Sequence, residues 1–79
     1  MENICIKVSE NPKIGIKQQN KVAEWCKEND IKPGIDFHYM SSLTFLHIKD
    51  RNFWRTSKNK DQRKQLTFEE FEAKYLGLL

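Results

Sequence analysis

The sequence is poor in the residues that punctuate or staple a chain, with three glycines, two prolines and two cysteines among 79 residues. Three scattered glycines make neither a phosphate-cradling loop nor a G-x-S-x-G nucleophile elbow. Cys5 and Cys26 are too few for a disulfide framework, and together with His38 and His47 they show no metal-ligand spacing. Two reduced, partly buried thiols are expected, with no metal and no other cofactor. No apolar run reaches the roughly 20 residues of a membrane span or the length of a signal-peptide core, so a cytoplasmic location and no membrane partner are expected. Paired carboxylates for acid–base work are also missing, and neither Asp36 nor Asp50 is placed to orient a histidine. The chain is therefore not expected to be an enzyme.

What is present suits a small folded domain. Five Phe, two Trp and two Tyr exceed what a disordered chain of this length carries, and a single domain over residues 1–79 accounts for the length. A chain this short buries a modest fraction of its surface, which leaves no second wall for a deep substrate cleft.

Periodicity places the elements. Ile4, Ile6 and Val8 alternate with polar or small neighbours and predict a half-buried strand. Asn11-Pro12 breaks it, and Lys13 to Lys17 around Gly15 reads as a packed loop. Val22, Trp25 and Cys26 share one face of a helix from Gln18 to Asn29, with Lys21, Glu24, Lys27 and Glu28 opposite and Pro33-Gly34 preventing continuation. Phe37 with Tyr39, then Leu43 to Ile48, then Phe53 to Thr56 predict three antiparallel strands. Ser41-Ser42 offers a turn or bulge between the first two, and Lys49 to Asn52 a hairpin turn between the last two. Ser57 to Gln65 is polar throughout and reads as a loop. Thr67 and Glu70 form a capping box, Leu66 can staple onto Phe71, and Phe68, Phe71, Tyr75 and Leu78 line a last helix that frays at Gly77. The expected fold class is α+β, a small three- to four-stranded antiparallel sheet with two helices on one face, in the order β-α-β-β-β-α.

Charge is unevenly distributed. Residues 1–48 are neutral, with six lysines against six acids, residues 49–64 carry +5, and residues 65–79 carry −2. All three arginines, Arg51, Arg55 and Arg63, fall in the middle window with Lys49, Lys58, Lys60 and Lys64. The guanidinium fork binds carboxylate or phosphate bidentately and stacks on rings, so its confinement to one segment points to recognition. Adjacent strand residues face opposite ways, so one of Phe53 and Trp54 enters the core while the other points outward among the cations. Trp54 with the seven cations is the predicted contact surface, where an outward ring can anchor a protein interface or stack on a base. The competing reading is a solvated edge, since edge strands use Lys and Arg to block unwanted pairing. An acidic protein surface is the expected partner and nucleic acid the alternative. A net charge of only +3 and the acidic last helix weigh against phosphate tracking. An open sheet edge would also permit a homodimer by edge pairing.

The succession Leu43 to Ile48, a polar turn, Phe53-Trp54-Arg55-Thr56-Ser57-Lys58, then Leu66-Thr67-Phe68-Glu69-Glu70-Phe71 resembles the hairpin-plus-helix ending of many small bacteriophage-encoded proteins. The resemblance covers residues 36–76. It implies a protein-binding inhibitor or adaptor that acts in a host cytoplasm by blocking an enzyme or a defence complex, and it carries over no site residue. The basic strand ahead of a helix also resembles three-stranded-sheet DNA-binding domains of integrase-arm type, from which the N-terminal βα unit departs. That second resemblance implies DNA binding by the same strand and loop.

Overall fold

The computed structural model describes residues 3–34, 42–59 and 62–77. Strand β1 (Ile4–Lys7) leads into helix α1 (Pro12–Glu28). The Asn11-Pro12 pair expected to act as a breaker instead starts this helix. Asn11 Oδ1 accepts from Lys13 N at 3.0 Å, and Pro12 at the first helical position has no N–H left to satisfy. The packed loop expected at Lys13–Lys17 is thus the first turns of α1, with Gly15 buried against the sheet side. At the far end Asn29 Nδ2 donates to Trp25 O at 2.8 Å, and Asp30 turns the chain at a positive φ of 59°.

Strand β2 (Lys32–Pro33) is followed by the hairpin of β3 (Phe45–Lys49) and β4 (Asn52–Thr56). The expected turn between them is a two-residue one, with Asp50 and Arg51 both at positive φ, 51° and 64°, the twist that suits a tight hairpin. The strand expected at Phe37–Tyr39 lies outside the described residues, as does Ser41. The loop expected through Gln65 ends earlier, because Lys64–Thr67 forms β5 alongside β1.

The sheet runs β2-β4-β3-β1-β5, which corrects the expected small antiparallel meander to five strands of mixed direction. β3 is antiparallel to β1 and to β4, whereas β5 is parallel to β1 and β2 is parallel to β4. The α+β class and the two helices stand. Thr67 and Glu70 close the capping box with backbone bonds of 3.0 and 3.1 Å, and helix α2 (Phe68–Phe71) continues as a π-helical segment (Glu72–Leu76). Gly77 ends it at φ 67°, a left-handed conformation that costs glycine little. Leu78 lies outside the described residues.

Register assigns the faces. Ile4, Ile6, Leu46, Ile48, Phe53 and Leu66 pair across neighbouring strands and point to the same side. There they join Val22, Cys26, Phe68 and Phe71 in one buried core. Trp25 is also buried, with its ring edge-on to Phe71 and Tyr75, both at 5.3 Å, so an aromatic cluster ties α1 to the C-terminal helix. The other side of the sheet has no helix in the described structure.

Candidate functional site

The side of the sheet away from the helices carries Cys5 and Lys7 of β1, Phe45, His47 and Lys49 of β3, and Asn52, Trp54 and Thr56 of β4. Strands β4 and β5 run the same way with β3 and β1 between them, so their connection crosses roughly 14 Å of this outer face. Its described parts lie over the strands. Thr56 Oγ1 donates to Lys58 O at 2.6 Å at the start, and Arg63 stands over the Trp54 ring at 5.1 Å at the end. Asn59 clamps the two arms, with Nδ2 donating to Arg63 O at 2.9 Å and Oδ1 accepting from Arg63 N at 3.1 Å.

His47 lies beneath this connection, 2% exposed and stacked on Trp54 at 5.4 Å with 14° between the rings. Thr56 gives its single hydroxyl proton to Lys58 O, so its 2.6 Å contact with His47 runs the other way: Nε2–H donates to Thr56 Oγ1. This places a proton on Nε2 and makes His47 a structural link between strand and connection.

The eight predicted contact residues separate. Lys49, Arg51 and Lys58 are exposed, on the outer face, the hairpin turn and the connection respectively. Trp54 is the outward aromatic, half-buried, while Phe53 enters the core. Arg63 is half-buried as the cover of Trp54. Lys60 lies outside the described residues.

Arg55 and Lys64 do not belong to this face. Arg55 shares its side with Phe53 and is 7% exposed, with Nη1 donating to Gln19 Oε1 of α1 at 3.4 Å. Burial lowers its pKa from the usual arginine value. Lys64 is exposed but pairs with Ile4, on the helix side of the edge strand. Both corrections follow from the two-residue period of a strand.

Sequence reasoning missed Lys7, Lys32 and Phe45. Lys7 Nζ lies 5.0 Å from the Phe45 centroid and donates to Thr44 Oγ1 at 2.7 Å. Lys32 pairs with Asn52 and extends the face at the β2 edge. Alternation against Ile4 and Ile6 marked Lys7 as outward, but only strand pairing places it beside Phe45. Arg51 Nη1 lies 3.4 Å from Asp30 Oδ2, and both side chains are largely exposed.

The thiols offer no nucleophile here. Both cysteines are free and buried. Burial pushes Cys5 up to about 11, moderated slightly by the charge of Arg63, and Cys26 up to about 12. Among the described residues, no three His, Cys, Asp or Glu side chains gather to hold a metal ion, and no helix is long and apolar enough to cross a membrane. No family model, curated protein or solved structure matches the chain.

Proposed function

We propose that the chain is a small binding module, an inhibitor or adaptor, that presents its outer sheet face and hairpin turn to an acidic surface of a partner protein. One observation carries this reading: no described strand position on that face holds a carboxylate. The face carries Lys7, Lys32 and Lys49, with Lys58 and Arg63 added by the connection, whereas every described acid lies outside the strands; the nearest, Glu10 in the bend before α1, reaches Lys7 Nζ at 3.4 Å from the rim. Such segregation lets opposite charges meet across an interface and rejects like-charged partners.

Arg51 supports the same reading. A side-chain-bearing residue at φ 64° is strained by about 1 kcal/mol where glycine would not be. The exposed pair with Asp30 offsets little of that. The two-residue turn imposes a positive φ on Asp50 and Arg51 alike and leaves the Arg51 side chain exposed at its tip, open to a partner. Trp54 favours protein over nucleic acid, since its ring is already engaged by His47 and Arg63 and a base could stack only by displacing them. Blocking of a host enzyme or defence complex is the biological role this module suits best.

The test is a titration of the chain against an acidic polypeptide and against duplex and single-stranded oligonucleotides, at low and moderate salt. The expected outcome is binding to the polypeptide that weakens on charge reversal at Lys49, Arg51 or Lys58 and is unmoved by Lys27→Glu. Binding to oligonucleotides alone, with a steep salt dependence, would replace this reading with the nucleic-acid one. Binding to neither would remove both.

A further inference from the structure

We infer that a second copy of this chain docks on the groove between α1 and α2, forming a two-fold dimer through the helical layer. One wall of the groove is the first half of α1, with Lys13, Ile14, Lys17 and Lys21, and the other is the start of the C-terminal helix, with Phe68, Glu69 and Glu72. Ile14 stands 49% exposed, one of two large apolar side chains left open to solvent among the described residues. At one end Lys21 spans the groove, 3.4 Å from Glu72 and 6.0 Å from the Phe68 ring centroid. Among the described residues, Lys13, Lys17 and Glu69 take part in no ion pair.

The distribution of charge selects the occupant. The first turn of α1 carries no acid, although a helix N-terminus favors negative charge, so Lys13 stands against the stability of its own helix. A uniformly acidic partner would meet Glu69 and Glu72, and a uniformly basic one would meet the three lysines. A two-fold axis running along the groove between the walls satisfies both, because it sets the lysines and Ile14 of each copy against Phe68 and Glu69 of the other. A patch with opposite charges on its two walls is self-complementary in the way an isologous interface requires.

Edge pairing of the sheet is the less suitable route. Strand β5 is four residues long, and the Thr67 N–H at its end is already taken by Glu70 Oε1 at 3.0 Å. Docking through the helices also leaves both outer sheet faces open on opposite sides of the dimer. A partner with two acidic patches would then be held by avidity. The inference does not depend on the reading of the outer face.

Sedimentation equilibrium on the full chain tests it, with circular dichroism to establish that each variant is folded. The expected result is a concentration-dependent rise from 9.5 kDa toward twice that mass, suppressed by salt. Lys17→Glu and Glu69→Lys should each weaken the dimer by at least about tenfold, because the two-fold axis counts every lost charge pair twice. Combining them should restore it, as the pairs re-form with reversed sign. Ile14→Asp, which suits the helix N-terminus and would set a carboxylate against Glu69 of the other copy, should give a folded monomer, and Lys58→Glu on the outer face should leave the dimer unchanged. A wild-type chain that stays monomeric at about millimolar concentration, including one whose groove is taken by a different protein, would overturn the inference. So would a dimer indifferent to both single reversals, or one that the double reversal fails to restore.

Discussion

The guanidinium carbon of Arg63 lies 5.1 Å from the ring centroid of Trp54, joining the end of the β4–β5 connection to the strand on which it began. The connection is thereby held down over His47, and its cations gain a defined position.

The first prediction concerns that pair. A partly buried cation over an indole contributes about 1 kcal/mol. Arg63→Ala and Trp54→Ala should therefore be coupled by about that amount in a double-mutant cycle followed by urea unfolding. Strictly additive effects would show that the two side chains do not hold the connection together.

Arg55 should behave as an interior residue despite its charge. Arg55→Ala removes a buried stem and leaves Gln19 Oε1 without this donor, a loss of about 1–3 kcal/mol. Lys58→Ala, on an exposed side chain, should stay within about 0.5 kcal/mol. Thermal melts of the two variants make the comparison, and equal small shifts would contradict the placement of Arg55.

Arg51 gives the opposite sign. Arg51→Gly relieves the left-handed strain at φ 64° and should stabilise the hairpin by about 1 kcal/mol in chemical denaturation. The same variant should bind an acidic polypeptide less well than the parent chain. A gain in stability with no loss of binding would separate the turn from the contact surface.

The cysteines predict a dependence on alkaline pH. Folded-state values of about 11 for Cys5 and about 12 for Cys26 lie above the ordinary thiol value. The folded chain therefore holds these protons more tightly than the unfolded one. Their contribution is fully present below the unfolded thiol pKa and falls as pH rises toward the folded values. Between pH 8 and pH 10 each thiol should cost about 1 kcal/mol of stability. Denaturation at both values checks this, with Cys26→Ala expected to remove its share of the difference; an unchanged difference would assign the alkaline loss to other groups.

Much of the fold is legible in local pattern. The alternation at Ile4, Ile6 and Val8, the helical face of Val22, Trp25 and Cys26, the two hairpin strands and the Thr67–Glu70 box are signals between residues close in sequence, and each appears as an element or a cap. The start of α1 was also available locally. Asn11-Pro12 is a good helix opening, but Pro after a strand reads as readily as a breaker until the turns that follow are seen packed.

Strand β5 was not available in this way. Lys64-Gln65-Leu66-Thr67 has one buried apolar residue, Leu66, and becomes a strand because β1 offers it backbone partners some sixty residues away in sequence. That pairing carries the connection across the outer face, places Arg63 on Trp54 and leaves Lys64 on the other side. The fate of the three arginines divides along the same line. The sequence determined that they fall together in one basic segment of an α+β domain. Only the tertiary structure decided that Arg51 is exposed, Arg63 covers a ring and Arg55 is buried, because the face and depth of a strand residue depend on which strands and helices lie beside it.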